Sequence, residues 1–177
     1  MIFTSLTTIA VCALAVVQGA PTSNERSWEE AYAKAESVVN QMSLEQKVGL
    51  ATGMGWKKTL CVGETYESTS PDFPSLCLQD SPLGTALASN VTAGVSGINA
   101  AATFDRELMY KRAEIIGTES RGKGVNVQLG PSVDIFRSAV GGRGWEAFGE
   151  DPYLQGVAGS EYVKGVQSQN VVCALSS

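Results

Sequence analysis

Short apolar runs that read as buried strands alternate with segments that repeat at helical spacing, and this alternation leaves few folds open. Leu76 to Leu78 is a short apolar run that ends at Asp80. Residues 105–120 place Leu108, Arg112, Ile115 and Ile116 on one helical face, with Gly122 as the stop. Val125, Val127 and Leu129 then alternate with polar residues, which is strand periodicity, and Gly130-Pro131 terminates the run. Residues 152–167 return to helical spacing through Leu154, Val157, Ala158, Tyr162 and Val166. Val171 to Ala174 begins one more buried strand. Strand, helix, strand, helix, strand predicts an α/β chain with a parallel sheet and right-handed crossovers.

Upstream, Ser27 with Glu30 forms a capping box, and Trp28, Ala31, Ala35, Val38, Val39 and Met42 follow at helical spacing. Ser43 with Gln46 repeats the device for a second helix from Leu44 to Ala51. Residues 53–74 hold glycines, prolines and polar side chains without periodicity and read as a long loop. Residues 1–20 read as a signal peptide: Ile2 to Val17 is mostly apolar, and the small residues Gly19 and Ala20 follow. That run is short for a membrane span, so no stable membrane insertion is expected.

Composition enters as a set of exclusions. The 177 residues leave room for one domain at most. A net charge of −5 argues against a nucleic-acid surface, which needs clustered Lys and Arg. The chain has no histidine, which removes Ser-His-Asp and Cys-His arrangements and any His-containing metal site. No Cys-x-x-Cys pair supports zinc or thioredoxin-like chemistry. Gly122-Lys123-Gly124 precedes a strand instead of following one, the wrong context for a dinucleotide or phosphate loop. Neither a metal nor a cofactor is expected.

Residues 141–154 concentrate the remaining chemistry. Gly141, Gly142, Arg143, Gly144 and Trp145 form a loop that runs into a helix start, with Asp151 as N-cap and Pro152 at the first helical position. Glycines let backbone come close to a ligand or a neighbouring loop. The guanidinium is a rigid fork of donors suited to vicinal hydroxyls or a carboxylate, and the indole offers a flat face. A plain turn, with Trp145 packed and Arg143 paired to Glu146 or Glu150, accounts for the same residues.

This loop and the segment from Leu76 to Gly84 resemble the N-terminal domain of family 3 glycoside hydrolases, the fungal secreted β-glucosidases in particular. Residues 97–105 and 121–131 lie between them and resemble the family in the same order. The resemblance runs from about Trp28 to Cys173. It implies an eight-stranded β/α barrel of the TIM type, of which residues 21–177 would be a partial N-terminal domain, truncated after about three strands. Barrels put their chemistry at the carboxyl ends of strands. The resemblance accordingly implies that Asp80 and Arg143 bind the hydroxyls of a non-reducing glucosyl unit, from a β-glucoside or cello-oligosaccharide. Glu146 would orient Arg143, and Trp145 would pack.

Secretion, which the leader and the family both imply, makes the cysteines readable. Cys61 and Cys77 flank a polar loop and could close a short ring, and fungal members carry a bridge in this region. A ring of this kind contributes about 3 kcal/mol. Cys173 lies in an apolar run and reads as a buried free thiol. Asn90-Val91-Thr92 is a glycosylation acceptor.

Two departures from the family matter. Members usually carry a Gly-Val-Arg-like run after Pro82-Leu83, where this chain reads Gly84-Thr85-Ala86. After the last strand the family continues with a Lys-His pair, where this chain reads Leu175-Ser176-Ser177. The family's nucleophile and acid/base belong to later segments, so no catalytic residue is assigned here. Retaining hydrolysis needs both carboxylates. The expectation is a β-glucosidase-like fragment, inactive alone; the other reading is a non-catalytic secreted carbohydrate-binding remnant.

Overall fold

The computed structural model describes residues 26–57 and 59–176. The expected signal peptide and the start of the domain at residue 21 lie outside the described residues. The chain divides into two units at Ser37/Val38.

Helix α1 (Trp28–Val39), all but its last two residues in the first unit, begins on the expected capping box: Glu30 N donates to Ser27 Oγ at 3.2 Å and Ser27 N to Glu30 Oε2 at 3.0 Å. The rings of Trp28 and Tyr32 meet at 6.1 Å, and both are exposed. No residue of α1 is buried, so its apolar spacing does not mark a covered face here.

The second unit opens with α2 (Leu44–Thr52), capped reciprocally by Ser43 and Gln46. The stretch read as one long loop contains three two-residue strands, β1 (Gly63–Glu64), β2 (Ser68–Thr69) and β3 (Asp72–Phe73). They are too short for periodicity to register. Cys61 and Cys77 are joined by a disulfide, with Cα atoms 5.3 Å apart. The rest of the unit is β4 (Cys77–Asp80), α3 (Gly97–Ala101), α4 (Arg106–Gly122), β5 (Val127–Ser132), α5 (Pro152–Gln167) and β6 (Val172–Ser176). The sheet order is β1-β4-β5-β6, with β1 antiparallel to β4 and the other pairs parallel. Strand, helix, strand, helix, strand is thus realised as β4-α4-β5-α5-β6, the right order for adjacent parallel strands.

Three details differ from the sequence reading. First, α4 turns Met109, Ala113, Ile116, Gly117 and Ser120 inward, while Leu108 and Ile115 are each 54% exposed. The small residues win because α4 and α5 pack backbone to backbone: a Cβ on Gly165 would lie 2.6 Å from Tyr110 O, and one on Gly117 2.9 Å from Val166 Cα. Second, β5 runs through Gly130-Pro131 to Ser132, with a register irregularity against β6 at Leu129/Gly130. Third, the largest fully buried side chains of β4 and β5 are amides, Gln79 and Gln128. Gln79, Gln128 and Cys173 stand in register across the three parallel strands, on the face that meets α5. Gln128 Nε2 donates to Ser81 O at 2.7 Å and to the Tyr162 hydroxyl; the hydroxyl in turn donates to Ser81 O at 3.0 Å. Around this row close Met109, Ala113, Ile116, Phe148, Ala158, Tyr162, Val166 and Val171.

Candidate functional site

Parallel strands share one carboxyl end, and two loops leave it. Asp80 closes β4 and lies opposite Leu129 of β5, exposed. The loop after β5 carries Asp134, Arg137, Arg143 and Glu146 before α5 starts at Pro152. Asp134, Phe136, Arg137, Ser138, Arg143 and Gly144 line a depression of about 250 Å³. A larger cavity of about 560 Å³ lies along α5 and Leu175, but its lining carries a single charged side chain, Lys164. Lys164 is already paired with Glu161 at 2.9 Å. The smaller depression lies on the loop that leaves the carboxyl end of β5, where a β/α layout carries its chemistry, so it is the candidate.

Arg143 is held from behind. Its Nε and Nη2 reach Glu146 Oε1 and Oε2 at 2.9 and 2.8 Å, a two-pronged contact that leaves the Arg143 side chain 68% exposed. The Glu146 bond raises the Arg143 pKa first, and the fields of Asp80 and Asp134 add to the rise. Arg143 therefore stays charged and faces a carboxylate-rich rim. Glu146 takes the orienting part expected of it, through an i,i+3 spacing within one turn. Trp145 packs only in part: it is 46% exposed, with its Nε1 donating to Gly142 O at 2.9 Å. Gly97 at the start of α3 is pressed on this turn: a Cβ there would stand 2.1 Å from Glu146 O, and Ile98 N donates to Trp145 O at 3.3 Å. Gln155 of α5 closes the far end, donating to Gly149 O at 2.9 Å and to Asp134 O, and accepting from Phe148 N at 3.2 Å.

The Asp80 loop is held differently. The loop after Asp80, through Gly84-Thr85-Ala86, is fixed by contacts to α4. Arg112 of α4 donates to Pro82 O and Val95 O, each at 2.8 Å, while its guanidinium lies 5.6 Å from the centre of the Tyr162 ring. Burial lowers the Arg112 pKa, and the bonds are to carbonyls, with no carboxylate partner among the described residues. Thr85 Oγ1 and Ser120 Oγ share a buried hydrogen bond of 2.9 Å, and both Glu119 carboxylate oxygens accept from Thr92 N. Sequence reasoning put Arg112 on a helix face without seeing this task; a cation amid apolar neighbours was the available signal. Among the described residues the Asp80 carboxylate makes no hydrogen bond or ion pair, which leaves both oxygens open to a ligand.

Asp80 and Arg143 thus stand at one end of one sheet, on the loops that a β/α barrel uses for chemistry. Residues 66–176, which hold these two loops and the sequence between them, match the Glycosyl hydrolase family 3 N terminal domain. The chain belongs to glycosyl hydrolase family 3. Its family 3 relatives include the protein named "Probable beta-glucosidase L" in Neosartorya fischeri, 46% identical over 168 residues, which are 94% of this chain and 23% of the relative. The Emericella nidulans protein of the same name is 50% identical over 155 residues, 86% of this chain and 21% of the relative. Among solved structures, the β-D-glucoside glucohydrolase of Trichoderma reesei superposes with a TM-score of 0.80 at 40% identity, over 84% of this chain and 21% of that one. β-Glucosidase 3B of Thermotoga neapolitana, solved in complex with glucose, gives a TM-score of 0.75 at 33% identity, over 81% and 23% of the two chains. This family 3 chain therefore spans about a fifth to a quarter of the length of these relatives. The solved relatives are family 3 enzymes whose N-terminal domain is a TIM-type barrel, and β4-α4-β5-α5-β6 has the parallel layout of that barrel.

Among the described residues no group of three or more Cys, Asp and Glu is placed to hold a metal ion, and no helix is long and apolar enough to cross a membrane. Cys173 is a free thiol that burial pushes up to a pKa of about 11.

Proposed function

We propose that this chain supplies glucosyl-binding groups of a secreted β-glucosidase, with Asp80 accepting from two sugar hydroxyls and Arg143 donating to their neighbours. The observation that carries the reading is the pairing of an open carboxylate at the end of β4 with an exposed, back-braced guanidinium on the loop after β5. Charged acceptors make short, strong hydrogen bonds to hydroxyls. The Glu146 brace lets Arg143 donate in a fixed direction, which lowers the ordering cost of binding. The substrate class is a terminal β-glucoside or cello-oligosaccharide, in keeping with the names of the relatives and with the glucose complex of the Thermotoga enzyme. Extracellular placement, a leader over residues 1–20, a domain beginning at residue 21 and a glycan on Asn90 belong to the same proposal. Asn90 is exposed, on the loop that follows β4, and open to an oligosaccharide.

The test is a glucose titration of the purified chain followed by Trp fluorescence, alongside hydrolysis of a chromogenic β-glucoside. Saturable quenching that is lost in Asp80→Ala and kept in Glu150→Ala supports the site. Equal behaviour of the two variants overturns it. Turnover above a matched control would add catalytic carboxylates, such as Asp134 or Glu146, that the proposal does not assign.

A further inference from the structure

We propose that Phe136 is a positioning residue for Arg143, acting through Gly144; the inference rests on the sugar-binding reading of Arg143. Gly144 follows Arg143 directly. A Cβ built on Gly144 would lie 2.1 Å from Phe136 Cε2 and 2.2 Å from its Cδ2, closer than carbon atoms come without bonding. The ring occupies the volume that a side chain at 144 would need. A Cβ on Gly141 would stand 3.9 Å from the same Cε2, so the ring edge lies under the turn from 141 to 144. Phe136 is itself fixed: its backbone N donates to Gly149 O at 3.0 Å, tying the strand exit to the far end of the loop. Phe136, Arg143 and Gly144 line the same depression.

Two contacts therefore divide the task of placing the guanidinium. Glu146 sets its direction through the two-pronged bond, while the Phe136 ring against Gly144 sets where the Arg143 backbone stands. Gly144 does not adopt a positive φ. Glycine is needed there for space and not for conformation, and the three atoms nearest to an alanine methyl would all belong to the Phe136 ring.

The experiment uses the full chain as wild type, Gly144→Ala, Phe136→Ala and the double variant. Two quantities are read: glucose affinity by Trp fluorescence, and the Arg143 Nε–H resonance, which reports the Glu146 bond without any sugar. Displacing a donor by about an ångström costs on the order of tenfold or more in affinity, so Gly144→Ala should weaken glucose binding by that factor and shift the resonance. In the double variant the new methyl enters the volume the ring has left, and affinity should return to within about threefold of wild type, because neighbouring substitutions are coupled. A merely structural fault would lower the urea midpoint while leaving the Arg143 Nε–H resonance of the folded chain where it stands in wild type. A double variant as weak as Gly144→Ala overturns the proposal, as does a Gly144→Ala protein whose resonance and affinity match wild type. If wild type binds no glucose, the sugar-binding reading fails, while the resonance still decides the positioning.

Discussion

The two loops that carry Asp80 and Arg143 leave the same end of the sheet and are secured by opposite means. The Asp80 loop is tied to distant chain: Ser81 O to Tyr162, 81 residues on, and to Gln128, 47 on; Pro82 O to Arg112, 30 on; Thr85 to Ser120, 35 on. The Arg143 loop is closed mostly on itself, with Arg143 to Glu146 and Gly142 to Trp145 each three apart and Phe148 to Gln155 seven apart. Among the described residues Gln155 to Asp134 O spans 21, and the tie that reaches furthest along the chain is from Ile98 at the start of α3 to Trp145 O. Asp80 is therefore positioned by the helix layer as a whole, and Arg143 by its own turn. Damage to the core should move the carboxylate before it moves the guanidinium.

The sharpest way to break this contrast is Arg112→Ala. It strips two carbonyls of a charged donor, and hydrogen bonds to charged groups are worth about 1.5–3 kcal/mol each. We expect a loss of roughly 3 kcal/mol in urea unfolding, with the Trp145 environment near the Arg143 turn unchanged in the native baseline. Tyr162→Phe removes a buried hydroxyl with its bonds to Ser81 O and Gln128 Nε2 and should cost about 1–2 kcal/mol, read as a lower Tm.

Alkaline pH probes the same side without a substitution. The Cys173 thiol rises from 9.0 to about 11 in the folded chain, and burial also drives the Tyr162 phenol above its ordinary 10.0. Each group keeps its proton better when folded, so its stabilising effect is complete below the unfolded pKa and is lost as pH rises through the folded one. Stability should fall from about pH 9 upward, and Cys173→Ala should flatten the part between 9 and 11 in a pH series of urea midpoints. The smallest stability effect belongs to Glu146→Gln. An exposed pair is worth under about 1 kcal/mol, so its Tm should barely move while glucose affinity falls. A Tm loss equal to that of Arg112→Ala would erase the distinction between the loops.

The same contrast explains what could be read from the sequence. Order and type of the central elements were legible because β4-α4-β5-α5-β6 alternates two periodicities over many residues. The Arg143 turn was legible because its partner, Glu146, is three residues away and its helix cap, Asp151, has a local signature; Asp151 does accept from Leu154 N at 2.9 Å. What holds Asp80 in place was not, since its anchors come from α4, β5 and α5 and no spacing links them. The inward face of α4 was misread for a related reason. Ala113, Gly117 and Ser120 carry almost no apolar signal, yet they are the residues that let α5 come close.

The amide row across the sheet has a bearing on how the strands find one another. Shifting β5 by one residue along β4 would carry Gln128 to the opposite face and put Val127 or Leu129 beneath the Tyr162 hydroxyl. Aliphatic side chains alone would tolerate such a slip, because one branched residue covers a phenol ring much as another does. Here the slip strips the Ser81 carbonyl, the Tyr162 phenol and the Gln128 carboxamide of one another, and each buried group stranded in this way costs about 1–3 kcal/mol. Gln128 thus writes the alignment of β5 against β4 into the interior, and the end of β4, where Asp80 sits, is brought level with β5 by the same few atoms.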